Sequence, residues 1–232
     1  MERASAVVSL SGGMDSATVL AEAIDQLGVK NVIAVGFKYG SKHNRWENVA
    51  AENVADSMGI PFELIDLSSV MKGFTSNLLL SGGEIPEGHY EDQNMALTVV
   101  PGRNIIFASI LAGYAWSKDK NSVWLGIHSG DHFIYEDCRP AFYRSMNEAV
   151  KNGTGNRVSL HAPFLDSDKI GIIKRGLELK VPYELTRTCY KTSQVSCGKC
   201  GSCQERRAAW ASLGLIDPIP YEYEGPLAEK TI

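Results

Sequence analysis

The length, composition and charge of the chain exclude several classes of protein. Of its 232 residues, 44% are hydrophobic and 22% are charged, the composition of a globular protein with a buried core. The formal net charge of −4 argues against a broad basic surface for nucleic acids. No apolar run approaches the roughly 20 residues that span a bilayer, and the N-terminal run is too short for a signal peptide. We therefore expect a cytoplasmic protein.

Short apolar strands alternate with helices along most of the chain. The strands are expected at residues 4–10, 31–37, 62–67, 122–127 and 157–163. The helices are expected at residues 15–27, 46–58, 104–118, 141–151, 169–179 and 204–213. The alternation predicts an α/β fold in which parallel strands are joined by crossover helices. A long polar, glycine-rich loop at 68–100 interrupts the pattern, and loops of this length are usually functional or disordered.

The first predicted strand ends in the turn "SLSGGMDS", and a helix follows at once. Gly12 and Gly13 permit backbone conformations that other residues avoid, and the free N–H groups of a helix start favour an anion. The Walker lysine and the G-x-G-x-x-G pattern are both absent. Asp15 would repel phosphate by itself, so it acts as a helix cap or as a partner of Mg²⁺. Locally, a phosphate site and a plain tight turn both remain open.

The stretch "SGGMDS" resembles the S-G-G-x-D-S loop of the PP-loop ATP pyrophosphatases. Those enzymes cleave ATP between the α and β phosphates and adenylate a substrate oxygen. The resemblance implies a parallel-sheet PP-loop fold, of the HUP or adenine nucleotide alpha hydrolase-like type. It also implies that ATP is bound by the loop residues Leu10, Ser11, Gly12, Gly13, Met14, Asp15 and Ser16.

Four cysteines lie close together, with the spacing C-x7-C-x2-C-x2-C. They are Cys189, Cys197, Cys200 and Cys203. Four thiolates without a histidine are typical of a closed, structural zinc site, although an iron–sulfur cluster also uses four cysteines. The fifth cysteine, Cys138, is either a small buried apolar residue or part of a site; no activating base for a nucleophilic role is evident.

Further stretches resemble the 7-cyano-7-deazaguanine (preQ0) synthase family of queuosine biosynthesis. They are "VPGRN", "GDHFIYEDCRP", "KVPYELTRTCY" and "CGKCGSCQERR", which occur in the family's order. The segment "FKYGSKHNRWE" departs from the family's F-D-Y-G-Q-R-H at Lys38, Ser41 and Lys42. The resemblance implies an ATP-dependent ligase that converts 7-carboxy-7-deazaguanine and ammonia into the nitrile, through an adenylated carboxylate and an adenylated amide.

The same resemblance suggests roles for individual residues. Catalytic roles are expected for Asp15, Arg103 and Asp131, and substrate contacts for Arg103, Asp131, His132, Asp137 and Arg139. ATP, Mg²⁺ and structural Zn²⁺ are the expected cofactors, and a homodimer without direct nucleic-acid or membrane contact is the expected assembly. Residues 1–185 are expected to form the ATP-binding domain, and residues 186–232 a zinc-binding segment, helix and tail packed on it. The loop 68–100 could close over the site.

Three other functions remain open from the sequence. One is a PP-loop ligase that modifies tRNA, by thiolation or in the manner of a lysidine synthetase. A second is a related enzyme that stops at the amide or transfers the activated deazaguanine to another acceptor. The third, a non-enzyme, is a zinc-ribbon module that binds nucleic acid through Arg206, Arg207 and Trp210.

Overall fold

Five short strands form one parallel sheet in the computed structural model, which describes residues 4–230 except the side chain of His132. The strands are Ala6–Ser9 (β1), Val32–Lys38 (β2), Phe62–Asp66 (β3), Ser122–Trp124 (β4) and Ser159–His161 (β5). Their order is β3-β2-β1-β4-β5, and every neighbouring pair is parallel. The predicted parallel α/β sheet is confirmed.

Helices cover both faces of the sheet. They are Met14–Leu27 (α1), Asn44–Ser57 (α2), Arg103–Ser117 (α3), Pro140–Gly153 (α4), Lys169–Glu178 (α5) and Gly201–Ser212 (α6). Side chains of α1, α2, α5 and α6 share one hydrophobic core with the sheet, whereas those of α3 and α4 share the other. In β1, Ala6 and Val8 belong to the first core and Val7 to the second. Burial on both faces explains why the strands are continuous apolar runs.

The order of the strands creates a crevice between β1 and β4. The chain adds β2 and β3 on one side of β1, and then crosses to add β4 and β5 on the other side. In open parallel sheets, ligands bind at this reversal, beyond the carboxyl ends of the strands. The glycine turn after β1 and the polar segment after β4 both lie there.

The long loop at 68–100 contains structure of its own. Two short 3₁₀ helices, Val70–Gly73 and Gln93–Thr98, lie within it, and Leu78 and Met95 are almost fully buried. Lys42, one of the departures from the family pattern, donates side-chain hydrogen bonds to backbone carbonyls of this segment. The segment therefore packs against the fold and is not a structureless connection.

The helical stretch Gln93–Ser117 is long and apolar enough to cross a membrane, by length and composition only. It consists of the second 3₁₀ helix and α3, and Pro101 and Gly102 separate the two parts. The expectation that no apolar run approaches membrane length therefore holds only for uninterrupted runs. The 15 residues of α3 are fewer than the roughly 20 that a span requires.

Candidate active site

A cavity of about 190 Å³ lies at the carboxyl ends of β1 and β4. Six parts of the chain form most of its wall: the glycine turn after β1, the end of β2 with the start of α2, the start of α3, the segment after β4, the start of α5, and residues 187–205. Loop 68–100 contributes Tyr90. The cavity has a polar half around the glycine turn and an aromatic half around α3.

The glycine turn has the geometry of an anion site. Gly12 has a φ of +81°, and a Cβ there would lie 2.4 Å from the Glu47 carbonyl oxygen, so only glycine fits. Ser11 and Ser16 hydroxyl oxygens lie 3.1 Å apart at the start of α1. Met14 is 1% exposed, so its side chain belongs to the core and only its backbone can serve the predicted nucleotide contact.

A buried lysine organises the polar half. The Lys169 ammonium donates to the Asp15 carboxylate at 2.8 Å and lies 3.1 Å from the Glu205 carboxylate. Burial alone would raise the pKa of Asp15, but the charge of Lys169 and its hydrogen bond outweigh burial and hold this pKa below its usual value. Burial raises the pKa of Glu205, and Lys169 opposes that shift only in part. Burial would lower the pKa of Lys169, yet Asp15 and Glu205 raise it.

His128 is fully buried beside this network. Its Nδ1 accepts a hydrogen bond from the Gly130 amide at 3.1 Å, so a neutral ring carries its proton on Nε2. Nε2 lies 3.4 Å from the Asp131 carboxylate and 3.1 Å from the Lys169 ammonium. His128, Asp131 and Glu205 have the spacing of metal ligands. Because Lys169 already supplies a cation to these groups, we interpret them as an ion-pair network.

In the aromatic half of the cavity, aromatic rings surround the guanidinium of Arg103. Phe37 and Phe107 stack with ring centroids 4.1 Å apart. The Arg103 guanidinium lies 5.9 Å from the centre of the Tyr135 ring, a cation–π distance. Burial raises the pKa of Tyr190 and that of Tyr135, so both hydroxyls remain protonated donors. Within residues 4–230, no carboxylate lies within 4.0 Å of the Arg103 guanidinium, which suits it to an anionic ligand.

Loop 68–100 reaches the cavity through one tyrosine. The Tyr90 hydroxyl donates to the Asp131 carboxylate at 2.7 Å. Next to it, the Thr98 and Tyr135 hydroxyl oxygens lie 2.8 Å apart. One buried and one partly buried hydrogen bond thus hold the loop over the segment that follows β4.

Two predicted substrate residues do not reach the cavity wall. The Asp137 carboxylate accepts a hydrogen bond from the backbone N–H of Asn104 at 2.9 Å and so caps the first turn of α3. Arg139 is exposed, and its guanidinium lies 3.6 Å from the Glu136 carboxylate. In this structure the Asp137 carboxylate thus caps a helix and Arg139 forms a surface ion pair, and substrate contacts of these two side chains stay a prediction. The side chain of His132, also predicted, lies outside the described part of the chain.

Cys138 lines the cavity as a thiol. The Asn104 side chain donates to its sulfur at 3.3 Å. Burial, together with the charges of Asp131 and Asp137, raises the pKa of Cys138 well above its usual value. A thiol that remains protonated at neutral pH is a poor nucleophile, so the geometry favours the interpretation of Cys138 as a buried apolar residue.

The four cysteines of the C-terminal segment converge on one point. Their sulfur atoms all lie within 4.8 Å of one another, and those of Cys197 and Cys203 are 3.9 Å apart. Thiolates about 2.3 Å from a tetrahedral zinc ion are about 3.8 Å apart. An iron–sulfur cluster places iron and sulfide atoms between its cysteines and needs a wider spacing. The donor set and geometry therefore fit a single zinc ion.

Several residues of the cavity were not identified from the sequence. They include Lys169, Glu205, Tyr90, Tyr135 and Tyr190 on its wall, and the buried His128 behind Lys169. Lys169 begins α5 just after β5, so its position at the carboxyl edge of the sheet was a signal that could have found it. Glu205 gave no such signal, because its approach to the cavity depends on how the cysteine segment folds.

Comparisons with a family model and with curated proteins point to one protein family. The family described as "Queuosine biosynthesis protein QueC" matches residues 5–214. The chain is 45% identical over 216 residues to 7-cyano-7-deazaguanine synthase 2 of Colwellia psychrerythraea, covering 93% of this chain and 97% of the relative. It is 46% identical over 217 residues to the 7-cyano-7-deazaguanine synthase of Marinomonas sp., covering 94% and 98%.

A solved structure shows the same fold. The glutamine-dependent NAD⁺ synthetase from Acinetobacter baumannii matches with a TM-score of 0.51 at 17% sequence identity. The match covers 81% of this chain and 32% of that longer chain. At this level of identity, the similarity concerns the fold alone.

Proposed function

Because the chain belongs to the QueC family of queuosine biosynthesis proteins, we propose that it is a 7-cyano-7-deazaguanine synthase. It is an ATP-dependent carbon–nitrogen ligase that makes preQ0 from 7-carboxy-7-deazaguanine and ammonia. One observation carries the proposal: a glycine turn at a helix start and an arginine among aromatic rings line the same cavity, and this arginine has no carboxylate within 4.0 Å among residues 4–230. A planar, carboxylate-bearing base and a nucleotide need this combination.

The first half of the reaction turns the carboxylate into an amide. A carboxylate resists attack by ammonia because oxide would have to leave. A carboxylate oxygen therefore attacks the α-phosphorus of ATP, and the bond to pyrophosphate breaks. Ammonia then adds to the acyl carbon, AMP leaves with the former carboxylate oxygen, and the nitrogen loses a proton to give the amide.

The second half removes the remaining oxygen. The amide oxygen attacks the α-phosphorus of a second ATP, and pyrophosphate leaves again. The nitrogen loses its protons as AMP departs with the oxygen, and the carbon–nitrogen triple bond forms. Both halves use the same activation, so one cavity with one pyrophosphate site serves both.

The glycine turn holds the departing pyrophosphate. The Ser11 and Ser16 hydroxyls and the amide of Gly13 lie on the wall of the cavity at the start of α1, where the helix dipole favours negative charge. Asp15 Oδ1 is buried and has no hydrogen-bond partner among residues 4–230, which fits a role as a Mg²⁺ ligand. When bound, Mg²⁺ supplies positive charge that neutralises the phosphates.

The aromatic half holds the deazaguanine. Arg103 pairs with the 7-carboxylate, and this ion pair brings the carboxylate into the cavity beside the PP-loop. Phe107 and Tyr135 offer flat surfaces against which a planar base stacks. Tyr90, anchored to Asp131, covers this side and limits the entry of water, which would hydrolyse an adenylate.

The zinc ion has a structural role. A zinc ion there would be held by the thiolates of Cys189, Cys197, Cys200 and Cys203, and four protein ligands would leave no position open for substrate or water. The ion fixes the segment that contributes Thr188, Tyr190 and Glu205 to the cavity wall. A reducing compartment keeps such thiolates available, and this supports the cytoplasm as the site of action.

A homodimer accounts for the unusual surface of α3. The helix is apolar around most of its circumference, and Ile105 and Trp116 are 49% and 46% exposed. Leu97, just before the helix, is 55% exposed. We expect a second copy of the chain to cover this surface. Sedimentation velocity should show a dimer for the wild type and a shift towards monomer for Ile105→Glu.

A product assay tests the function. The protein is incubated with 7-carboxy-7-deazaguanine, ATP, Mg²⁺ and ammonium, and the products are identified by mass spectrometry. We expect the nitrile and AMP. Arg103→Met should raise the KM for the deazaguanine strongly, whereas Arg157→Met, which removes a guanidinium stacked on Trp116 away from the cavity, should not. An amide as the final product would indicate the related enzyme, and the absence of AMP would exclude the synthase.

A further inference from the structure

Arg187 connects the PP-loop to the segment that carries the four cysteines. Its backbone N–H donates to the Gly12 carbonyl at 2.8 Å, across more than 170 residues of sequence. Its guanidinium donates to three backbone carbonyls at 2.6 to 3.0 Å, those of Lys191, Ser193 and Gln194. All three lie in the loop between Cys189 and Cys197. One residue therefore contacts both the nucleotide loop and the loop between two metal ligands.

The bond to Gly12 determines where the next amide points. A trans peptide unit is planar, and its C=O and N–H point in opposite directions. With the Gly12 carbonyl held by the Arg187 N–H, the Gly13 N–H points the other way and donates to the Ser11 hydroxyl oxygen at 3.3 Å, on the cavity wall. Gly13 lines the cavity, whereas Gly12 is buried behind it. The orientation needed for an anion thus depends on a donor supplied by the cysteine segment.

The position of that donor depends in turn on the guanidinium. Arg187 is only 6% exposed, and its three described side-chain hydrogen bonds all go to backbone carbonyls of the loop. Burial of a charged group is costly unless it is hydrogen-bonded, so the guanidinium and the loop hold each other in one arrangement. Cys189 and Cys197, at the ends of this loop, fix that arrangement further once a metal is bound.

We propose that Arg187 is a positioning residue that couples the Cys₄ site to the PP-loop. Through Arg187, the metal-bound segment holds the Gly12–Gly13 peptide in the orientation that binds pyrophosphate. Because coupling between two sites is reciprocal, pyrophosphate at the PP-loop must also strengthen retention of the metal. This inference rests on the proposed role of the PP-loop in the synthase.

The coupling can be measured without turnover. Inorganic pyrophosphate is titrated into the zinc-loaded protein by calorimetry, and zinc release to a chelating dye is followed with and without pyrophosphate. For the wild type, we expect pyrophosphate to slow zinc release at least about fivefold. For Arg187→Met, which keeps the backbone N–H but loses the clamp on the loop, we expect weaker pyrophosphate binding, zinc still bound, and no slowing of its release.

Arg207→Met is the matched control. The Arg207 guanidinium also donates to two backbone carbonyls, that of Gly198 between two of the cysteines at 3.1 Å and that of Gly225 in the C-terminal tail at 2.6 Å. It does not contact the PP-loop. We expect this variant to lose zinc faster than the wild type while pyrophosphate still slows the release.

The outcomes separate this inference from the proposed function. If the wild type does not bind pyrophosphate, the PP-loop role itself is wrong. If the wild type binds it but releases zinc at an unchanged rate, only the coupling is wrong, and this result does not depend on whether any variant folds. Equal slowing in the wild type and in Arg187→Met would show that the coupling does not pass through Arg187.

Discussion

At the scale of single residues, Lys169 balances the charge in the polar half of the cavity. Its ammonium contacts Asp15 and Glu205, and Asp131 lies beside them across His128. Three carboxylates around one lysine leave an excess of negative charge next to a loop that must bind phosphates. Asp15 Oδ1 has no hydrogen-bond partner among residues 4–230, and the proposed divalent cation on this oxygen would remove the conflict.

The substitution Asp15→Asn tests that role. The amide preserves the shape of the side chain but removes the charge that attracts Mg²⁺, so we expect kcat/KM to fall at least about a hundredfold. AMP release measures the effect, and circular dichroism checks the fold. Asp25→Asn is the matched control, since Asp25 lies on the same helix and pairs with Arg175 outside the cavity. Activity of Asp15→Asn close to that of the wild type would contradict the assignment.

The same residue predicts how stability changes with pH. Because the pKa of Asp15 is lower in the folded than in the unfolded protein, the folded state binds fewer protons at this site. Its contribution is complete above the unfolded pKa of about 4 and is lost as the pH falls through the folded pKa. Urea unfolding should show the wild type more stable than Asp15→Asn by about 1–3 kcal/mol at pH 5–7.

That difference should close below pH 4, since protonated aspartic acid resembles asparagine. An equal difference in the free energy of unfolding at pH 3 and pH 7 would show that the ionised form of Asp15 is not what stabilises the fold. The measurement uses zinc-loaded protein at the neutral points, and the loss of zinc in acid is monitored separately.

Cys138 is expected to be dispensable for the chemistry. Its buried thiol has a raised pKa, so it remains protonated in the pH range of the assay. We expect Cys138→Ala to lower the free energy of unfolding by about 1–2 kcal/mol through lost packing, with kcat unchanged. Alkylation by iodoacetamide, mapped by mass spectrometry, should be slow at pH 7. Rapid alkylation at pH 7 together with loss of turnover would instead indicate a nucleophile.

At the scale of elements, the helix and strand ends that could be predicted are those marked by glycine or proline in the sequence. The helix predicted at 15–27 is Met14–Leu27, because Gly12, Gly13 and Gly28 mark its two ends. The strand predicted at 122–127 ends at Trp124, since the residues after it form the wall of the cavity. Apolar character alone cannot distinguish a strand from a buried wall.

In the candidate site, too, some residues could be predicted from the sequence and others could not. The PP-loop is contiguous in sequence, so its residues could be named in advance. The contact between Asp15 and Lys169 joins residues 154 positions apart, and no local spacing encodes it. Asp137 was expected to contact substrate because it is a loop carboxylate; local spacing did not predict that it accepts a hydrogen bond from the Asn104 backbone N–H in the first turn of α3.

The role of loop 68–100 as a cover depends on Tyr90. Loss of its hydrogen bond to the charged Asp131 costs about 1.5 kcal/mol, or about tenfold in the population of the closed loop. For Tyr90→Phe, we expect a higher ratio of AMP to nitrile, because water reaches the adenylate. Tyr143→Phe removes a hydroxyl that bonds to the Leu160 carbonyl and serves as the control. An unchanged ratio in Tyr90→Phe would mean that the loop does not exclude water.

At the scale of the whole molecule, the cysteine segment joins parts that are distant in sequence. It reaches the PP-loop through Arg187 and the polar half of the cavity through Glu205. It also pairs with loop 68–100, since Glu87 forms an antiparallel bridge with Cys200 and the Gly88 amide donates to the Lys199 carbonyl. The sheet, by contrast, makes its own core without this segment's metal ligands.

Removal of zinc should therefore loosen the cysteine segment and the part of loop 68–100 paired with it, but not the sheet. We expect hydrogen exchange to rise in residues 188–204 and, through the pairing at Glu87 and Gly88, in residues 84–92. The amides of β1 and β4 should remain protected, because their hydrogen bonds and packing belong to the sheet. Mass spectrometry of peptides before and after chelation measures this, and added zinc should restore the original pattern.

Unfolding of the sheet on chelation would show that residues 1–185 do not form an independent domain. Exchange confined to residues 188–204 would show that loop 68–100 is held in place by its own contacts.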